Sequence, residues 1–466
     1  MGDPPEPKIL FDDDARNRAS LAEWIEKHLG GQVTQVERQD RWRPAWYVTV
    51  KDEQGERKLY VRGDRGPGMM LPWPLEHEMS VLSVLHRNGI PVPKVHGICP
   101  LPRGIVMDCV DGTRDLSALS AEQRQRVMQE YIFLLHQVHS IDPAEFGKAG
   151  IHIPASDDEA AMGYWSVAKR KFEVLPGKGP DAFVAFLDRW LRSNLPLKPS
   201  KLGLVTGDAG QFLQKDGKIV ALIDFEIAYI GDTLADLGGL RIRNLEEPFG
   251  DADEMILEYR RVSGIKLDTR RMNHHAVILA GLPQMTKHTV MREVRNDAAL
   301  WRTWEIKSSR ICVTSIADEL REDLERLPEP ERRWTRHTAA YDSLVEVIST
   351  LEGASGLDAY GYRHLLGLAK HLRDVHAFGP AADAAELAEM NTMMGTAFAS
   401  LDDAEAALED YVAEAHPTAM IDLLHFFDRR FQRRRFQIIC HDLRLALYDL
   451  PPLSKLGERI AVRTTN

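Results

Sequence analysis

The 466-residue chain carries 59 Lys and Arg against 70 Asp and Glu, a net charge of −11, and 44% of its residues are hydrophobic. At roughly 100–200 residues per domain this length allows two to four domains with real cores, which excludes disorder as the main state. The acidic balance excludes a general binder of nucleic acid or of anionic membranes, whose footprint is basic, and leaves room only for a local basic patch.

In chain order, Met1 to Pro7 holds acids and prolines where a secretory leader carries a basic end and an apolar run. Asp14 to Leu29 then places Leu21, Trp24, Ile25 and Leu29 at helical spacing and stops at Gly30-Gly31. Gln32 to Glu37, Trp46 to Val50 and Lys58 to Arg62 read as strands, the last two joined by a turn over Asp52 to Gly55. Leu75 to Arg87 reads as a helix closed by Asn88-Gly89, and Pro91 and Pro93 mark an extended connection. Gly104 to Val110 is expected to be a buried strand ending at Asp111-Gly112. From Ser120 to Leu202 the pattern is helical, clearest over Val127 to His139, with loops near Pro143 and Pro176.

Leu202 to Asp224 alternates strand, loop, strand, turn, strand, and nearly everything beyond Gly250 is helical again. Pro328 to Arg333 reads as a linker, and the helical segments Tyr341 to Leu351, Gly361 to Val375, Glu386 to Met394 and Pro417 to Leu447 as an added module. In the last segment Arg429, Arg430, Arg433, Arg434 and Arg435 alternate with Phe426, Phe427, Phe431 and Phe436. That is either an amphipathic helix with packed aromatics and paired arginines or a site for an acidic ligand. No stretch reaches the ~18 consecutive apolar residues of a spanning helix. Cys99, Cys109, Cys312 and Cys440 form no Cys-x-x-Cys pair, so neither a disulfide framework nor a zinc site is predicted. A cytoplasmic protein without membrane or nucleic-acid partners is expected.

The most informative stretch is Leu204 to Glu226. With Asp216-Gly217 as a two-residue hairpin turn, Lys215 pairs with Lys218, Gln211 with Leu222 and Ala209 with Asp224. The carboxylates of Asp208 and Asp224 then reach the same end of the hairpin. Two acids with an amide nearby are the hard oxygen donors that Mg²⁺ takes, and one carboxylate can orient a hydroxyl for phosphoryl transfer. The alternative is that these acids only end strands and cap turns. Arg62 ends a strand, and Glu78, 16 residues on, can turn back from the next helix to hold it. Kinases hold a phosphate-binding cation in this way, although an Arg/Glu pair alone is more often a plain surface ion pair.

Thr206-Gly207-Asp208, Ile223-Asp224-Phe225-Glu226, and Gly231-Asp232 followed by Asp236-Leu237 together resemble the aminoglycoside phosphotransferase-like (choline-kinase-like) small-molecule kinases. Tyr60-Val61-Arg62, Glu78, Pro91-Val92-Pro93 and Val106-Met107-Asp108 fall in that family's order. The similarity covers about residues 20 to 325 and is nearest to the kinase domains associated with acyl-CoA dehydrogenases. It implies an α+β, bilobal protein-kinase-like fold, with a small antiparallel sheet in the N-lobe (1–110), a mostly helical C-lobe (111–327) and an additional all-helical module (338–466).

It also implies roles: Asp208 as catalytic acid on the acceptor hydroxyl, Asp224 and Gln211 as Mg²⁺ ligands, Arg62 on phosphate and Glu78 holding Arg62. Met107 opens the segment whose backbone, at Asp108, Cys109 and Val110, meets the adenine of ATP. Asp232 and Asp236 brace the loop. The expected activity is ATP- and Mg²⁺-dependent phosphorylation of a hydroxyl on a small-molecule metabolite, of alcohol or hydroxyacyl type. The alternatives are a degenerate kinase fold that binds without transferring phosphate, and an aminoglycoside-type phosphotransferase using acids such as Glu246, Glu247, Asp251 and Asp253.

The departures from the family are local. Thr206 replaces a histidine, the interval from Asp208 to Asp224 is two residues short, and Gln211 replaces an asparagine that lies further on. The stretch Arg38 to Ala45 lacks the glycines of a phosphate-covering loop. Arg41 or Arg43 would wrap phosphate there instead, or else Trp42 and Trp46 anchor a loop with solvated arginines.

Overall fold

The computed structural model describes residues 15–39, 41, 43–65, 71–196, 198–199, 201–247, 249–290, 297–350, 357–438, 450–453 and 456–457. Trp42 and Cys440 lie outside them. The chain is α+β, with a small antiparallel sheet ahead of a mostly helical remainder.

Helix α1 (Ala15–Leu29) precedes β1 (Gln32–Arg38), β2 (Ala45–Asp52) and β3 (Gly55–Gly63). Helix α2 (Leu75–Arg87) leads to β4 (Val95–Pro100) and β5 (Arg103–Asp108). The five strands form one antiparallel sheet ordered β1-β2-β3-β5-β4. The period of two along β2 sends Trp46, Val48 and Val50 to one face, where Leu59, Val61 and Val106 meet Leu21 and Ile25 of α1. Each such side chain contributes about 1.5–3 kcal/mol when fully buried. The sequence reading leaves β4 as an extended connection after Pro93; it pairs with β5 all the same, because the ladder begins only at Val95, past the prolines.

The helical part opens with α3 (Ala121–Val138), started by a capping box of Ser120 and Gln123. Next come α4 (Pro143–Lys148), α5 (Asp157–Met162), α6 (Trp165–Glu173) and α7 (Ala182–Ser193). Pro143, expected in a loop, is instead the first residue of α4, where its missing N–H costs nothing and Asp142 caps the helix. Strands β6 (Leu202–Val205), β7 (Phe212–Lys215), β8 (Lys218–Leu222) and β9 (Tyr229–Asp232) form two hairpin-like pairs, β6 with β9 and β7 with β8. Helices α8 (Leu234–Glu246), α9 (Ala252–Ser263), α10 (Thr269–Val290), α11 (Ala298–Leu320), α12 (Thr338–Ser349), α13 (Leu357–Met394), α14 (Leu401–Glu414) and α15 (Ala419–Arg434) complete the order.

The β7–β8 register corrects one expectation. Lys215 does pair with Lys218 around a turn in which Asp216 and Gly217 both have positive φ, 52° and 76°. Beyond Gln214 the register slips by one, so Leu222 faces Phe212 rather than Gln211, and the Ile223 amide donates to the Gln211 carbonyl. The slip is a bulge at Val220. Gln214 is held from the other side by Thr113, through a two-way backbone bridge, and by the Asp115 carbonyl, so the extra residue is taken up on β8.

The described residues divide into two compact units. One holds Leu10–Tyr164 and Leu197–Asp268; the other holds Trp165–Pro196 and Thr269–Asn466. Residues 165–196 and 269–327, grouped with the C-lobe in the sequence reading, thus share a unit with the C-terminal helices. In that unit the arginines of α15 pair with acids of α13: Arg429 and Arg433 with Glu389, Arg434 with Glu386. Phe426, Phe427 and Phe431 are buried, so the amphipathic reading holds for this helix. The expected segments Gly361–Val375 and Glu386–Met394 belong to one helix, α13, which runs through Pro380. Among the described residues no helix is long and apolar enough to cross a membrane.

Candidate active site

Pairing of β6 with β9, Val205 opposite Tyr229, places the loop after β6 against the start of α8. There Asp236, fully buried, accepts hydrogen bonds from the amides of Thr206 (2.8 Å) and Gly207 (3.1 Å) and from Thr206 Oγ1 (2.8 Å). His139, also fully buried at the end of α3, places Nε2 2.9 Å from the same carboxylate and Nδ1 2.6 Å from the Tyr259 hydroxyl. Gly207 has φ 82°, and a Cβ there would meet the Ile227 carbonyl at 2.7 Å, so only glycine lets the chain turn into Asp208. Asp208 itself is partly exposed. Its Oδ2 accepts from Gln211 Nε2 at 2.7 Å and is ion-paired with Arg243 of α8.

Asp224 follows β8 with φ 69°, a left-handed conformation that aspartate tolerates better than most residues and that is characteristic of functional turns. Its carboxylate is paired with Arg62 at the end of β3, whose Nε lies 3.0 Å from Glu78 on the inner face of α2. Glu226, two residues past Asp224, gathers further guanidinium groups: Arg43 at 2.8 Å, Arg62 at 3.6 Å, and Arg65. Burial would raise the Asp224 carboxyl, but Arg62, Arg65, Arg43 and Arg41 outweigh it and hold it well below the usual carboxylate range. Burial pushes Glu78 up against the opposing pull of Arg62, and pulls Arg65 down to about 10 despite Glu226.

These groups close one end of a cleft lined by Arg62, Glu78, Met107, Asp108, Cys109, Val110 and Asp224, together with Arg41, Arg114, Leu213 and Ile223. Seven of the nine residues singled out in the sequence are therefore in one cavity. Asp208 and Gln211 are not among its lining residues; Asp208 bonds to the Gln211 side chain, and the Gln211 carbonyl accepts from the amide of Ile223, the residue before Asp224. The amides of Asp108 and Cys109 donate to the Lys94 and Lys58 carbonyls, so the edge left to a ligand consists of carbonyl oxygens and the Val110 backbone.

Residues 37–272, half of the chain, match the phosphotransferase enzyme family, APH. The chain belongs to that family. It is 27% identical over 241 residues to human acyl-CoA dehydrogenase family member 11, a stretch that is 47% of this chain and only 30% of that protein. Among solved structures it is similar to a putative aminoglycoside phosphotransferase from Ralstonia eutropha JMP134, with 16% identity, 62% of this chain and 94% of that one covered, and a TM-score of 0.47. It is also similar to a mutant of aminoglycoside phosphotransferase APH(4)-Ia in ternary complex with ADP and hygromycin B, with 16% identity, 62% and 97% coverage and a TM-score of 0.43.

Several residues of this candidate site escape sequence reasoning. Arg43, expected to be available for phosphate, is 1% exposed and bonded to the Gly63 carbonyl and Glu226, so it is a structural tie. Arg41 remains on the cleft, bonded to the Tyr60 hydroxyl at 3.3 Å. Arg65, Arg114, Arg243 and His139 carried no motif signal, because each finds its partner far away in the chain. For a metal, no group of three or more His, Cys, Asp or Glu side chains converges among the described residues. The donor set nevertheless suits a Mg²⁺ that takes most of its oxygens from phosphate and water. Asp224 offers a carboxylate, and Gln211, 6% exposed, holds a buried Oε1 with no hydrogen-bond partner.

Proposed function

We propose that this chain is an ATP- and Mg²⁺-dependent kinase that phosphorylates a hydroxyl of a small-molecule metabolite, of alcohol or hydroxyacyl type. The observation that carries this reading is the junction of Asp224, Arg62 and Glu78 at the end of a cleft, with Asp208 beside it on a braced loop. The base would lie along Met107 to Val110 and the phosphates would run toward Arg62 and Arg41. Asp208 orients the acceptor hydroxyl. The hydroxyl oxygen bonds to the γ-phosphorus, its proton passes to the Asp208 carboxylate, and the bond to the β,γ-bridging oxygen breaks, its electron pair leaving with ADP. Asp224 and the Gln211 amide oxygen would hold a Mg²⁺, which would supply charge neutralisation.

Isothermal titration with ATP, with and without Mg²⁺, tests the site. Metal-dependent binding that disappears in Asp224→Ala is expected; binding indifferent to metal and variant would sink the reading. Asp208→Asn should retain nucleotide affinity and lose roughly 10²–10⁴-fold in ADP formation.

A second reading, nucleotide binding without transfer, draws support from the engagement of both acids by guanidinium groups, Asp208 by Arg243 and Asp224 by Arg62. It predicts no Asp208-dependent ADP release with any acceptor.

A further inference from the structure

Apart from the cleft that ends at Asp224, a cavity of about 450 Å³ lies between α3 and the start of α9. Small-molecule pockets have volumes of roughly 300–1,000 Å³. The floor of this one is apolar: Met128 and Ile132 of α3, Phe249 of the loop ahead of α9, and Met255 of α9 are all buried. Two thioethers beside a phenyl ring suit a flat aromatic body, because methionine adapts to irregular shapes and its sulfur makes favourable contacts with rings.

The rim selects by charge. Its three carboxylates are already used: Asp251 accepts from the amides of Asp253 and Glu254, Glu258 is paired with Arg261, and the Glu254 residue has a further interaction within the chain. Arg124, Gln125 and Gln129 of α3 line the same cavity, and among the described residues no side-chain hydrogen bond or ion pair engages any of them. They offer a ligand one guanidinium and two amides, and a guanidinium without a carboxylate matches an incoming carboxylate in its planar fork.

Both walls of the cavity also hold the loop that follows Asp208. Tyr131, the residue before Ile132 on α3, accepts the Gly210 amide through its hydroxyl at 2.6 Å. Phe249 packs on the same glycine, where a Cβ would come 2.8 Å from its ring, and its ring centroid lies 5.9 Å from that of Phe212. Freeing the Gly210 amide requires the loop to part from α3. A molecule that bridges α3 and Phe249 binds the closed arrangement and opposes that opening.

We infer that this cavity binds a small aromatic carboxylate, held by Arg124 over a floor of Met128, Phe249 and Met255, and that its occupant stiffens the Asp208 loop.

The test titrates the full chain calorimetrically with naphthalene-2-carboxylate, its neutral amide, the cation 2-naphthylmethylammonium, and acetate. The carboxylate should bind roughly tenfold or more tighter than the amide and the cation, and acetate, which lacks the aromatic body, weaker still. Arg124→Gln should erase the advantage of the carboxylate over the amide. Ala121→Trp, at an exposed lining position, should weaken both. Hydrogen exchange of the peptide spanning 207–212 should slow roughly threefold or more on saturation with the carboxylate. Absence of carboxylate binding, equal affinities for the three naphthyl probes, preference for the cation, or a carboxylate preference that survives Arg124→Gln overturns the site. Unchanged affinity in Ala121→Trp does so as well, because it puts the binding elsewhere. Binding with unaltered exchange at 207–212 overturns the link to the loop.

Discussion

Thr206 shows how a family residue can be replaced without losing its loop. Its hydroxyl and amide both donate to Asp236, and His139 reaches the same carboxylate from α3. Thr206→Val keeps the shape and the amide bond but removes one hydrogen bond to a charged group, at a cost of about 2 kcal/mol. On the proposed kinase reading, displacing the Asp208 loop slightly should also lower kcat, by roughly up to 10²-fold, with nucleotide affinity retained. Denaturant unfolding beside steady-state ADP release reads both; unchanged kcat would mean that Asp236 and His139 position the loop unaided. At this scale Asp208, Asp224, Arg62 and Glu78 were legible because they sit at fixed offsets within short motifs. Arg43 was misjudged because its partner Glu226 is 183 residues away, a distance over which no local pattern exists.

Among the elements, α3 is the support of the Asp208 loop rather than a packing helix alone. The Tyr131 hydroxyl accepts the Gly210 amide at 2.6 Å, two residues past Asp208, and His139 caps the helix's far end. Tyr131→Phe leaves a buried amide without a partner, a penalty of about 1–3 kcal/mol, and frees the loop. The expected result is a lower melting temperature together with reduced turnover; a variant matching the native protein in both would show that the hydroxyl is dispensable. Long periodic elements such as α2 were readable to the residue, because a buried face repeats over three turns. The four-residue β9 and the bulge at Val220 were not. A strand that short carries no alternation, and the bulge answers to Thr113 and Asp115, which lie about a hundred residues away.

At the scale of the molecule, the helical unit is knitted from both sides of the linker expected at Pro328 to Arg333. Phe183 and Phe186 of α7 pack at a tilt against Phe427 of α15, Arg310 of α11 is paired with a buried Asp428, and the amide of Asp181 donates to Glu409 of α14. Its core also carries ionised groups: Glu305 lies between Arg302 (2.5 Å) and Lys287 (3.4 Å). Burial would raise Glu305, but these two cations hold it down to about 2, against an ordinary 4.5. The folded state therefore gives up this proton more readily than the unfolded chain. The stabilisation is complete above about pH 4.5, is lost as pH falls toward 2, and amounts to up to about 3 kcal/mol. Unfolding free energies from pH 5 to 2 should fall more steeply for the native protein than for Glu305→Gln; parallel curves would mean that Glu305 holds its proton equally well in the folded and unfolded states. The same construction bears on where the chain can be cut. A polypeptide ending at residue 327 would expose Phe183 and Phe186 and remove Asp428 from Arg310, and losing one partner of a buried ion pair costs about 3–5 kcal/mol. That is comparable to a typical domain's whole stability of about 5–15 kcal/mol. The shortened chain should accordingly be insoluble or bind hydrophobic dye without a cooperative melt. A cooperative transition in that chain would show instead that α14 and α15 dock onto a unit able to fold alone.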